Sequence, residues 1–99
     1  MADHPLKTLE TLDPKLFSLL QETRELALGE GVLPLKFKLL IILALDAAHG
    51  VPKGVQTLAQ SALEAGATQQ EIVEVVRIGH YVGGAGSTYT ASVGLKDIF

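Results

Sequence analysis

The chain has no cysteine among its 99 residues. That one absence removes disulfide cross-links, thiolate metal sites and cysteine nucleophiles. Tryptophan is missing too, and aromatics make up only 5% of the sequence. A core must therefore come from Leu, Ile, Val and Ala, which suit close helix packing better than an aromatic-rich sheet. Positive charge is not in excess: the formal net charge is -3, with acids and bases interspersed. Without a basic stripe, nucleic-acid binding has no support. The longest apolar run, Leu39 to Leu45, falls far short of the roughly 20 residues needed to cross a bilayer. The first five residues show no basic start leading into an apolar run, so no secretory signal is expected and the cytoplasm is the expected compartment. A chain of this length is expected to form one domain, residues 1–99.

What is present reads as helices. Asp13-Pro14 pairs a good N-cap with a residue that suits the first helical position. The segment from Lys15 to Leu28 then sets Leu16, Leu19, Leu20, Leu26 and Ala27 among polar residues, and Gly29-Glu30-Gly31 ends it. His4 falls in a loose start ahead of this helix. Pro34 opens a second helix, Leu35 to Ala48, whose only charged residues are Lys36, Lys38 and Asp46. A helix apolar on all sides must be covered on all sides. A subunit interface is the simplest cover in so small a chain, and a central place in a monomeric bundle is the other. A third helix runs from about Pro52 to Ala65, with Gly66 as its C-terminal cap. Thr68-Gln69-Gln70-Glu71 has the form of a capping box and starts a fourth helix carrying Ile72, Val73, Val75, Val76 and Ile78. Gly83-Gly84-Ala85-Gly86 breaks that helix, and a fifth, weaker one is expected from about Ser87. No hairpin signal, internal repeat or low-complexity segment is visible.

From Leu39 to Gly84 a long apolar helix leads to Ala62-Leu63-Glu64-Ala65-Gly66-Ala67-Thr68, then to Gln70-Glu71-Ile72-Val73-Glu74, then to a glycine-rich stretch. This pattern resembles the carboxymuconolactone decarboxylase and alkylhydroperoxidase-D family. The resemblance implies an all-α domain of the alkylhydroperoxidase-D type, about five helices, assembling as a homo-oligomer, commonly a trimer or hexamer. Redox members carry Cys-x-x-Cys followed by His, and those positions fall here on Val51, Gly54 and Leu58. The glutamate of their relay falls near Leu39. Decarboxylase-type members often keep a histidine at the place of Leu58, and this chain lacks that one as well.

The remaining candidates for chemistry are few. His49 follows the apolar helix, and Asp46, three residues earlier, lies on the same face and is placed to orient its imidazole. His49 is equally a helix C-terminal residue favoured by the dipole. His80 falls at four-residue steps from Ile72 and Val76, either as a packed histidine or as a proton donor beside Tyr81 or Tyr89. Lys53 and Arg77 are candidate anchors for a substrate carboxylate, and each is also an ordinary surface charge. Gly83 and Gly84 offer backbone N–H groups to a ligand, although no strand precedes them as a phosphate loop requires. No metal-ligand spacing is present.

Two functions follow. The first is a cofactor-free lyase acting on a small carboxylated lactone or related acid. Lys53 or Arg77 would hold the carboxylate, the Gly83–Gly86 turn the developing oxyanion, and His49 or His80 would supply the proton. The second is a non-catalytic oligomer that kept the fold and binds a small molecule or a partner. Under either, a peroxidase assay with a thiol-based reductant is expected to show no turnover above a no-protein control, because there is no thiolate to attack or resolve.

Overall fold

The computed structural model describes residues 6–99, so His4 lies outside the described residues. They form six helices: α1 (Lys7–Leu12), α2 (Pro14–Leu28), α3 (Leu35–Ala48), α4 (Pro52–Glu64), α5 (Gln69–Gly83) and α6 (Ala85–Leu95). No strand occurs among the described residues. The helix not expected from the sequence is α1, which is one and a half turns long and has no side-chain cap. The chain divides into two compact units, the first holding α1 and α2 and the second, Gly31–Phe99, holding α3 to α6.

In the first unit α1 packs against α2. The start of α2 is set as its sequence predicts: Pro14 is the first helical residue, and the Leu16 N–H donates to the Asp13 carboxylate at 3.1 Å. The helix has no buried residue.

In the second unit α3 packs against α4, α5 and α6, and α6 also packs against α4 and α5. Pro34 stands just before α3 with extended backbone, rather than as its first residue. The core joins Leu39, Leu40, Leu43 and Ala47 of α3 to Val55, Ala59 and Ala62 of α4, with Ala67, Ile72 and Ala91 completing it. Half of these residues are alanine, so the helices approach closely. One close approach is between α4 and α6. A Cβ on Gly94 would lie 2.7 Å from the Pro52 carbonyl oxygen and 2.7 Å from the Val55 Cβ. That packing explains why α6 is helical, and starts two residues ahead of Ser87, despite its Thr and Val content.

The capping box of α5 is fully made. The Glu71 N–H donates to the Thr68 hydroxyl at 3.1 Å, and the Thr68 N–H donates to the Glu71 carboxylate at 2.9 Å. The turn into α6 is set by Gly84, whose φ of 78° lies in the left-handed region. No helix among the described residues is long and apolar enough to cross a membrane.

The two kinds of helical glycine give opposite expectations. Gly94→Ala forces a methyl against backbone and is expected to destabilise the fold by about 1–3 kcal/mol. Gly86→Ala, with open space around it, is expected to be neutral or to stabilise by up to about 1 kcal/mol. Denaturant midpoints of the two variants check this.

Candidate functional site

The residues singled out for chemistry all lie in the second unit, and no hydrogen bond or ion pair joins Asp46, His49 or Lys53 to Arg77, His80 or Tyr81. His49 caps the C-terminus of α3, exposed, with its backbone N–H on the Leu45 carbonyl at 2.9 Å. Asp46 is half-buried one turn earlier, and no hydrogen bond joins its carboxylate to His49. The carboxylate instead lies against α4: a Cβ on Gly54 would be 2.8 Å from the Asp46 Cγ and would collide with its carboxylate oxygen. The Val51 N–H donates to the Asp46 backbone carbonyl at 2.9 Å and draws the start of α4 to this point. Lys53, next to Gly54, is exposed, and its ammonium donates to the Gln56 side chain at 3.2 Å.

His80 is exposed in the last turn of α5, whose C-terminal end packs beside that of α3, and its Nδ1 lies 2.6 Å from the Thr88 hydroxyl of α6. The face it was expected to share diverges from it: Ile72 is buried and Val76 half-buried, but Gly79, not His80, continues inward. Steps of four accumulate about 40° each on a helix, which carries the third residue off the face. Arg77 and Tyr81 are exposed, Tyr81 to 90%. The Gly84 N–H is taken by the His80 carbonyl at 2.8 Å, so it is not an open donor for an oxyanion. Gly83 is held close to α6 and α3, where a Cβ would lie 3.0 Å from that of Ser87 and 3.3 Å from that of Ala48. Among the described residues no group of three His, Cys, Asp or Glu is placed to hold a metal.

What the structure offers in their place is an open groove of about 500 Å³ between α3 and α5. Phe37, Leu40, Ile41, Ala44, Leu45 and Ala48 form one wall, and Glu71, Glu74, Val75, Ile78, Gly79 and Val82 the other. Neither histidine lines it. Leu40 at its floor is buried, but the apolar side chains along its rims stay uncovered: Ile41 is 50% exposed and Ile78 62%. The sequence held a signal for this groove in the four-residue spacing of Phe37, Ile41 and Leu45, hidden because the whole of α3 is apolar.

One end of the groove is pinned electrostatically. The Lys36 ammonium lies 3.1 Å from the Glu71 carboxylate and 5.2 Å from the centroid of the Phe37 ring. Glu71 is held below its ordinary value of 4.5, first by the Thr68 N–H and then by hydrogen bonding to Lys36, against an opposing desolvation.

The carboxymuconolactone decarboxylase family model matches residues 14–93. This chain belongs to that family. A solved structure with the same architecture is the apo form of a carboxymuconolactone decarboxylase family protein from Legionella pneumophila. It is 27% identical, with a TM-score of 0.85, over 92% of this chain and 81% of that one. No curated protein matches the chain. Within the family frame, the positions that resemble the redox Cys, Cys and His are an exposed Val51, a Gly54 filled over by Asp46, and a Leu58 packed on the core.

A depressed carboxylate stabilises the fold above its unfolded-state value, and that stabilisation is lost as pH falls through the folded-state value. Glu71→Gln can keep the capping box but loses the charge opposite Lys36. It is expected to be less stable than the parent at pH 7, with the gap between their denaturant midpoints closing as pH falls below about 4. A gap independent of pH would assign the loss to packing.

Proposed function

We propose that this family member is a non-catalytic homo-oligomer, an assembly and binding module of the cytoplasm that kept the fold without the thiol chemistry. The observation that carries this reading is the groove between α3 and α5, apolar along most of both walls and uncovered. Uncovered apolar surface of this kind marks an interaction site. The charged residues lining the groove are Glu71 and Glu74, which favour an apolar or cationic occupant over a small carboxylate. The candidate catalytic side chains lie outside it. Family membership supports a trimer or hexamer as the assembled form. Static light scattering at micromolar concentration is expected to give a multiple of the chain mass, and a monomer mass would refute the reading.

One observation favours the lyase as a second reading. The Asp46 carboxylate occupies the space over Gly54, at the first turn of α4, with His49 one turn along α3 and Lys53 beside Gly54 in sequence. A small carboxylated lactone or related acid held by Lys53 would need no cofactor: electrons released with carbon dioxide pass into the lactone, and His49 protonates carbon. Carbon dioxide release from such a substrate, lost in both Asp46→Asn and His49→Ala, would establish this reading over the first. His80, Tyr81, Arg77, Gly83 and Gly84 belong to the C-terminal end of α5 and its turn into α6, and have no role in this reading.

A further inference from the structure

The chain has a second uncovered apolar surface, and it matches the groove in length and charge. Helix α2 has no buried residue, and Leu16, Leu19, Leu20 and Leu26 are 41%, 59%, 37% and 86% exposed. At 100° per residue these four share one face of the helix, with Thr23 and Ala27 between them. A 15-residue helix is marginal in water, and within its unit α2 packs only against the six-residue α1, so cover for that face adds to its stability. From Leu16 to Ala27 the stripe spans 12 residues, a rise of about 16 Å. The groove has the same length on both walls, from Phe37 to Ala48 on α3 and from Glu71 to Val82 on α5, again about 16 Å.

The charges agree as well. Arg24 flanks the leucine stripe on one side, Lys15 and Glu22 lie together on the other, and Glu25 lies on the opposite face. The groove carries Glu71, already paired with Lys36, and Glu74, which has no partner among the described residues. The Arg24 edge of the apolar helix is therefore complementary to the Glu74 carboxylate in the apolar groove, the arrangement by which amphipathic helices are bound.

We propose that copies of this chain assemble by helix exchange: the leucine face of α2 from one copy lies in the α3–α5 groove of another. This rests on the reading of the protein as a homo-oligomer and specifies the contact that makes it one. Each copy gives one helix and receives one, so the interface is head-to-tail and closes as a ring when the rotation per copy allows. A cyclic assembly then requires no second interface.

The absence of native cysteine makes the test direct. Leu20→Cys, on the α2 stripe, and Ala44→Cys, in the groove, are prepared as separate proteins, checked for parental helicity by circular dichroism, mixed and oxidised. A disulfide-linked species of twice the chain mass is expected from the mixture. The control pair Leu20→Cys with Ser92→Cys, exposed on α6, is expected to stay unlinked. As a second measurement, Leu19→Glu is expected to bring the light-scattering mass down to that of a monomer. An oligomer that forms no Leu20–Ala44 cross-link and survives Leu19→Glu overturns the exchange but leaves the homo-oligomer standing. A parent that is monomeric overturns both. A monomer that cross-links only when one chain carries both cysteines overturns the exchange by showing α2 on its own chain's groove.

Discussion

Helix α3 carries more apolar surface than its neighbours can enclose, and the second unit is arranged around that excess. Leu39, Leu40, Leu43 and Ala47 are buried by the concerted approach of α4, α5 and α6. Phe37, Ile41 and Leu45 are left over, half exposed along one side. A core of so few large side chains is effective only when backbones come close, because dispersion falls steeply with separation. Gly94 and Ala91 on α6, and Ala59 and Ala62 on α4, permit that closeness. The largest fully buried side chains are Leu43, Ile72 and Val55. Between them they tie α3, α5 and α4 to a single centre.

Electrostatics then fixes how the walls of the groove are held. The capping box at Thr68 is a local device, yet its Glu71 carboxylate also reaches Lys36 on the first turn of α3. A helix-start signal of four residues thus becomes a bond between two helices. Both walls are set at one end by the same carboxylate, which gives the apolar surface between them a defined width.

Much of the fold was legible in the residues. Asp13-Pro14 and Thr68-Gln69-Gln70-Glu71 act through bonds within four residues, so each helix start could be read without knowing its neighbours. Helix α1 was not legible, because Lys7–Leu12 has neither cap nor apolar period. The site was read less well. Histidines drew attention for their titration range, but what they touch depends on helix packing that no local signal records. His80 meets Thr88 and solvent, while the groove is built from residues that each look like ordinary core. A residue destined for the core and one destined for a partner have the same chemistry, and only the count of surrounding helices separates them.

The Asp46–Gly54 contact bears on how this chain can change over time. Redox relatives are expected to carry cysteine at the place of Gly54, and restoring it looks from the sequence like a single substitution. In the folded chain any side chain at 54 strikes the Asp46 carboxylate, on a different helix. That carboxylate is the outer end of a side chain and can swing aside, so a side chain at 54 displaces Asp46 rather than backbone. Positions 46 and 54, on neighbouring helices, thus share one volume, and substitutions at the two are expected to be non-additive.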